Sequence, residues 1–336
     1  MINIGIIGYG YWGPNLVRNF NETSGINVCQ VADLDDNKLQ KIRLRYPSIA
    51  VTTDVREIIE NMDIDAVAIA TPVSTHYDLA MRCLKAGKHV LIEKPMADTS
   101  ERCEKLIELA DRKNLLLMVD HTFPYTGAVR KIKELVKSKE LGKILYYDSV
   151  RVNLGLFQQD VNVIWDLAVH DLSILEYLFL QKPHSVSATG ISHFKEQLEN
   201  VAYLTLFFDN NLIAHIHVNW LSPVKIRRTL LGGEKKLLVY DDLEQTEKVK
   251  IYDKGIDSVI DDKSIYNMRV GYRMGDMWAP NLDGTEALYR LVKHFRDCIE
   301  GIDEPITSSI SGLRVVQMME AATKSMYNNG HPEKLN

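Results

Sequence analysis

The sequence predicts an α/β fold over its first 120 residues, a doubly wound parallel sheet, followed by an α+β half that is richer in strands. Three observations predict it. A glycine turn follows the first apolar strand; apolar strands and amphipathic helices then alternate as far as Asp120; and beyond Phe123 the pattern shifts to alternating stretches separated by turn residues. At 336 residues, with 46% hydrophobic and 25% charged residues, the chain suits a globular protein of two domains, expected at 1–121 and 122–336. No apolar run approaches the roughly 20 residues of a membrane span.

The first strand, Ile2 to Ile7, runs into Gly8-Tyr9-Gly10-Tyr11-Trp12-Gly13, with Pro14 where a helix can begin. In this strand–turn–helix, Gly8 permits a tight turn and Gly10 lets the backbone approach a pyrophosphate. Gly13 brings helix and strand close, and the helix N-terminus offers free N–H groups to an anion. The second strand, "INVCQVAD", ends at Asp33, 20 residues beyond Gly13, where a carboxylate can accept from the hydroxyls of an adenine ribose. A 2′-phosphate would be repelled there, so the reading is a Rossmann domain for NAD rather than NADP. The plainer alternative is that Asp33 only caps the helix "DNKLQKIRLRY".

A short helix "TTDVREIIEN", a buried strand "DAVAIATP", a helix "THYDLAMRCLKAG" closed by Gly87, and a strand "HVLIE" come next. The helix "TSERCEKLIELADRKN" and the strand "LLLMVD" complete the series. In such sheets ligands sit beyond the carboxyl ends of the strands, where Thr71, Pro72, Glu93, Lys94, Asp120 and His121 all fall. With Gly8, Gly10, Tyr11, Trp12, Gly13, Asp33 and His76, the candidate cofactor contacts also include Thr71, Pro72, Glu93 and His121.

After Phe123 the helix "GAVRKIKELVKSKELG" and the strand "KILYYDSVRVNLG" lead to "WDLAVHD" and then to stretches that read as sheet. Two amphipathic helices close the chain. Cys29, Cys83, Cys103 and Cys298 are scattered without metal-ligand spacing, which suits a reducing cytoplasm. His215 and His217 share a strand face but lack a third ligand at sensible spacing, so they read as sheet-surface residues at a subunit interface, and no metal site is expected. A net charge of −5 gives no footprint for nucleic acid, and the N-terminus has no basic region before its apolar run, so neither nucleic acid, membrane nor secretion is expected. The partner is a small molecule.

The glycine fingerprint, "ATPVSTH" (70–76), "AGKHVLIEKP" (86–95) and "WDLAVHD" (165–171), in that order, resemble the glucose-fructose oxidoreductase, inositol dehydrogenase and rhizopine-catabolism (Gfo/Idh/MocA) dehydrogenases over nearly the whole chain. The resemblance implies NAD(P) on the first domain. It also implies an open, mostly antiparallel sheet in the second, supporting substrate binding and association into a homodimer or homotetramer. It places Lys94 beside the nicotinamide and the reacting hydroxyl, with His170 transferring the proton and Asp166 as its companion. The chemistry agrees. Oxidising a secondary alcohol needs a base, and histidine's ordinary pKa of about 6.5 suits that task. A lysine ammonium opposes developing alkoxide charge. Asp166 and His170, at i and i+4, face the same way on a helix. Pro95 stops strand pairing and fixes the backbone that aims Lys94, while Glu93 either contacts the nicotinamide ribose or restrains the lysine. The plainer reading of "WDLAVHD" is an amphipathic helix with a satisfied interior histidine.

The chain departs from the family in having Thr122 where many members carry the arginine of R-F-x-P, and in lacking two glycines before Asp166. "WDLAVHD" most resembles members of nucleotide-sugar and surface-polysaccharide synthesis, including UDP-N-acetylglucosamine 3-dehydrogenases. Candidate substrate contacts are Tyr125, Asn153, Arg269, Tyr272 and Arg273; with Trp278 the last three form a cationic, aromatic segment able to hold a pyrophosphate and stack on a base. The expectation is an NAD-dependent dehydrogenase oxidising C3 of a UDP-linked sugar. The alternatives are an inositol or free-sugar dehydrogenase and a non-catalytic NAD sensor.

Overall fold

The apolar segments of the N-terminal half pair in parallel, as strands joined by crossover helices must. In the computed structural model, residues 1–155, 160–194, 198–253, 255–257 and 271–335 are described, with the backbone alone for 255–257 and 271–273. Six strands, β1 (Ile2–Ile7), β2 (Ile26–Ala32), β3 (Ala50–Thr52), β4 (Ala66–Ile69), β5 (His89–Glu93) and β6 (Leu117–Asp120), form a sheet in the order β3-β2-β1-β4-β5-β6. The order reverses between β1 and β4, the crevice where such sheets bind ligands. Ile4, Ile6 and the whole of β4 are buried, the continuous apolar run that two covered faces demand.

The connecting helices are α1 (Gly13–Glu22), α2 (Asp36–Arg45), α3 (Val55–Ile59), α4 (Val73–Lys85) and α5 (Ser100–Arg112). Gly87, at φ +81°, closes α4 as its sequence position requires. Thr99 caps α5 by accepting from the Arg102 N–H at 3.3 Å. The three-residue edge strand β3 was not expected, being too short to show alternation.

The chain divides into two units, Met1–Thr126 with Thr285–Glu320, and Gly127–Gly284 with Ala321–Asn336. A single boundary at 121/122 has no place for the return of residues 285–320. Packing explains it: α8 (Ala287–Ile299) buries Leu288, Leu291, Val292 and Phe295 in the same core as Leu16, Val17 and Phe20, with Phe295 edge-on to Phe20 at 6.4 Å. Each such side chain contributes about 1.5–3 kcal/mol on burial, so an amphipathic helix follows its apolar partner rather than its neighbour in sequence.

The second unit contains α6 (Gly127–Lys137), β7 (Ile144–Leu154), a π-helical turn (Ile164–Ala168), α7 (Val169–Leu178), β8 (Ser185–Ile191), β9 (Val201–Phe207) and β10 (Ile213–Asn219). β11 (Leu221–Gly233), β12 (Leu237–Asp241), β13 (Val249–Tyr252), a small β14 (Gly255–Asp257) and β15 (Gly271–Arg273) pair, and β16 (Met277–Trp278) follow; after α9 (Ser309–Tyr327) the chain ends in β17 (Glu333–Lys334). The nine-stranded sheet has the order β16-β13-β12-β11-β7-β10-β9-β8-β17. Only β7 and β10 pair in parallel, so the sheet is open and mostly antiparallel. Period-two alternation buries Ala202, Leu204, Leu206, Ala214, Ile216 and Val218. The opposite face carries Tyr203, His215 and His217, the His217 ring stacked on Tyr203 at 4.4 Å. No described helix is long and apolar enough to cross a membrane.

Candidate active site

The residues singled out by sequence are divided between the two units. In the first, Gly8 sits at φ +101°, and a side chain there would run into the Ala70 carbonyl oxygen. A Cβ on Gly13 would lie 2.6 Å from the Gly8 oxygen, whereas one on Gly10 would meet nothing within 4 Å. The turn therefore packs tightly on both sides and leaves open space above Gly10. α1 begins there with no acidic residue in its first turn and no side-chain cap, so its N-terminal field is unopposed. A cleft of about 800 Å³ extends from Gly8 and Gly10 along Asp33, Lys38, Thr71 and Pro72.

Asp33 stands at the end of β2 with its carboxylate held by the Tyr9 N–H at 2.7 Å and the Asp35 N–H at 2.9 Å, and Lys38 Nζ lies 3.4 Å away. Two backbone donors fix the carboxylate and leave lone pairs for ribose hydroxyls. The helix-capping alternative is excluded for this residue, because Asp35 is the N-cap of α2. Open space at Gly10, a free helix start and an oriented carboxylate together fit a dinucleotide, with the pyrophosphate at the glycine loop and the adenine ribose at Asp33. Tyr11 is 93% exposed beside the loop.

Thr71 and Pro72 line the cleft, and the Thr71 hydroxyl pairs with that of Thr75 at 2.7 Å. His76 differs from expectation. Its ring is fully buried, with Nδ1 2.8 Å from the Pro95 carbonyl and Nε2 2.9 Å from the Thr71 carbonyl, so it ties two loops together rather than touching a cofactor. Burial pushes its pKa down, against those two carbonyls.

In the same unit lie the neighbouring ends of β5 and β6, where Glu93 and Asp120 are register partners. Lys94 follows Glu93 and is partly exposed, and the Lys94–Pro95 peptide is cis. Asp120 accepts from the Trp12 indole at 3.2 Å and from the Thr122 hydroxyl at 2.9 Å, which connects the glycine loop to the strand ends. Thr122, in place of the family's arginine, thus serves Asp120. Glu93 receives the Lys94 N–H at 3.2 Å. Burial, then the charge of Asp120, holds the Glu93 acid well above its ordinary pKa. His121 is buried with neither ring nitrogen hydrogen-bonded among the described residues, and burial followed by the Lys94 charge pushes it down to about 3. It is a neutral imidazole at neutral pH.

In the second unit, Asp166 lies in the π-helical turn and accepts from the Trp220 indole at 2.9 Å. His170, partly exposed, follows on α7. The expected i, i+4 relation presumed an unbroken α-helix. The segment that holds Asp166 is a π turn instead, and such turns favour functional positions. Next to His170, Asp171 is buried and points into the unit, its carboxylate taken by Arg151 Nε at 2.6 Å and by Ser149 Oγ at 2.7 Å.

Tyr125 is not a substrate contact: it is 1% exposed and its hydroxyl is committed to His294 at 2.9 Å and Thr307 at 3.2 Å inside the first unit. Asn153 is partly exposed on β7. Arg269 lies outside the described residues, as do the side chains of Tyr272 and Arg273, whose backbone forms β15. Sequence reasoning missed Trp220 and Arg151, which act on the "WDLAVHD" segment across the fold. It also passed over the pairing of Asp120 with Glu93, although both had been placed at adjacent strand ends.

Residues 2–121 match a family model described as the GFO/IDH/MocA oxidoreductase family, NAD-binding Rossmann fold, and residues 129–239 match the GFO/IDH/MocA C-terminal domain. The chain is 26% identical to the NADP(+)-dependent scyllo-inositol 2-dehydrogenase of Bacillus subtilis, over 96% of this chain and 93% of that one. Among solved structures it is similar to an NAD-binding protein from Listeria innocua, with a TM-score of 0.82 and 22% identity, covering 99% and 96% of the two chains. It is likewise similar to the UDP-N-acetylglucosamine 3-dehydrogenase of Acidithiobacillus ferrooxidans, with a TM-score of 0.79 and 22% identity over 97% and 99%. At that identity the two structures speak for the fold.

Proposed function

This chain belongs to the GFO/IDH/MocA family of NAD(P)-dependent dehydrogenases acting on CH–OH groups, and on that premise we propose that it oxidises a ring hydroxyl of a nucleotide-activated sugar, C3 of UDP-N-acetylglucosamine or a close analogue. The observation that carries the chemistry is Lys94, placed at the carboxyl end of β5 over a buried acidic pair that the glycine loop contacts through Trp12. Bound NAD supplies the hydride acceptor. The Lys94 ammonium opposes the negative charge that grows on the hydroxyl oxygen as the C–H bond weakens. His170 takes the hydroxyl proton, and Asp166, held by Trp220, orients the imidazole or a neighbouring sugar hydroxyl. Asp33 favours NAD over NADP, since a 2′-phosphate would face its carboxylate. His121, neutral, buried and with neither ring nitrogen hydrogen-bonded among the described residues, lies next to Asp120 within reach of the Lys94 charge.

The nucleotide-sugar reading is supported by the "WDLAVHD" segment and by the cationic, aromatic stretch 266–282. Association of the cytoplasmic subunits through the sheet face bearing Tyr203, His215 and His217 belongs to the same reading. A free cyclitol is the second reading, favoured by the scyllo-inositol dehydrogenase relative. Offering the protein NAD with UDP-N-acetylglucosamine or with myo-inositol, each with an aminotransferase to draw off the ketone, separates the two. The expected result is NADH from the nucleotide sugar alone. NADH from inositol alone transfers the protein to the second reading.

A further inference from the structure

The hydrogen bonds at the ends of β5 and β6 are incomplete if both carboxyl groups there are ionised. Glu93 Oε1 is buried, and no N–H or O–H of the described residues reaches it. Asp120, the register partner of Glu93 on the neighbouring strand, brings a second carboxyl group to the same strand end, and two carboxylates side by side with no donor for that oxygen would repel. A proton on one of them supplies the missing donor and removes the repulsion.

The surroundings decide which. Asp120 accepts from the Trp12 indole and the Thr122 hydroxyl, two donors that favour its anion. Glu93 accepts only the Lys94 backbone N–H among the described residues. Among the described residues, the cation that acts on both carboxyl groups is the Lys94 ammonium; His121, next to Asp120 in the chain, is neutral, and His76, on α4, is turned to the Thr71 and Pro95 carbonyls. Among the described residues, Lys94 is the cation set against Glu93, and burial opposes a second negative charge there.

We infer that Glu93 and Asp120 share a single proton, carried by Glu93, and that neutral Glu93 is the positioning residue that joins the Lys94 backbone to Asp120 and, through Trp12, to the glycine loop. The inference deepens the proposed dehydrogenase reading and rests on it for the role of Lys94. Glu93 is then no anion beside the cofactor. Its O–H donates to Asp120 and its other oxygen accepts the Lys94 N–H, so the strand end carries one negative charge against one positive. The direction of the Glu93 pKa, raised by burial and by Asp120, agrees with that geometry.

Glutamine tests this, because its amide can still donate to Asp120 and accept from Lys94, whereas alanine can do neither. Infrared spectra of the NAD-free protein at neutral pH, labelled with glutamate carrying carbon-13 in the carboxyl group, are expected to contain a label-shifted carboxylic-acid carbonyl band that vanishes in Glu93→Gln. In turnover, Glu93→Gln is expected to retain about ten times or more the kcat/KM of Glu93→Ala, the scale of a buried polar partner left unpaired. Absence of the acid band overturns the shared proton. A band with Gln and Ala equally impaired overturns the positioning role. The band persisting in a protein inert toward every alcohol tested supports the pair while removing the dehydrogenase reading, so the two fail separately.

Discussion

Replacing Lys94 by Met is expected to lower kcat by about a thousandfold, or about 4 kcal/mol of transition-state stabilisation, while the affinity for NAD stays within a few-fold of wild type. The expectation follows from where the residue sits. Lys94 closes β5 at the carboxyl edge of the sheet, its N–H is fastened to Glu93, and the strand cannot continue through Pro95. A cation held at that point would have little to offer a dinucleotide bound as proposed, with its pyrophosphate over Gly10 and its adenine ribose at Asp33. Its value arises only when the hydroxyl oxygen begins to carry charge, which is why the loss falls on kcat. Lys94→Arg keeps the charge but spreads it over a planar, larger group, and is expected to recover less than a tenth of the lost rate. Steady-state kinetics beside NAD titration check both variants. Equal losses in kcat and in NAD affinity would make Lys94 a cofactor anchor instead.

Asp171→Ala is expected to destabilise the second unit by about 3–5 kcal/mol, because it strands the buried Arg151 guanidinium without its carboxylate. At roughly 2–4 °C per kcal/mol the corresponding thermal transition falls by about 10 °C. Calorimetry of the full chain measures it. Replacing both partners by apolar residues of similar volume, Arg151→Met with Asp171→Leu, is expected to return most of the loss, as removing both charges removes the unpaired one. A single variant that melts with the wild type would show that the pair does not anchor α7. The prediction bears on the chemistry because Asp171 adjoins His170: the inward-facing carboxylate fixes the helix turn that presents the imidazole.

What the sequence made legible, and what it left hidden, follows the range of the interactions. The glycine loop, Asp33 and the alternation up to Asp120 depend on local backbone needs and short periods, and the parallel sheet follows from them. The sheet of the second unit was likewise readable from alternation. The return of α8 to the first core depends on Phe295 meeting Phe20, a pairing no local pattern records. The hold of Trp220 on Asp166 and of Arg151 on Asp171 is equally non-local. Position along the chain also misled at His76 and Tyr125: both stand next to functional motifs, yet their side chains turn inward to carbonyls and to core partners. Glu93 was picked out correctly as a member of the strand end, but its proton could not be read without the carboxyl group beside it.

The central claim is hydride transfer from a ring carbon of the substrate to NAD, and the most direct measurement follows that hydrogen. The protein is incubated with NAD and UDP-N-acetylglucosamine deuterated at C3, and the reduced cofactor and the sugar are analysed by mass spectrometry. The expected products are NADH carrying one deuterium and a sugar that has lost it as a ketone. Unlabelled NADH, or deuterium retained in an unchanged sugar, would contradict that hydride transfer.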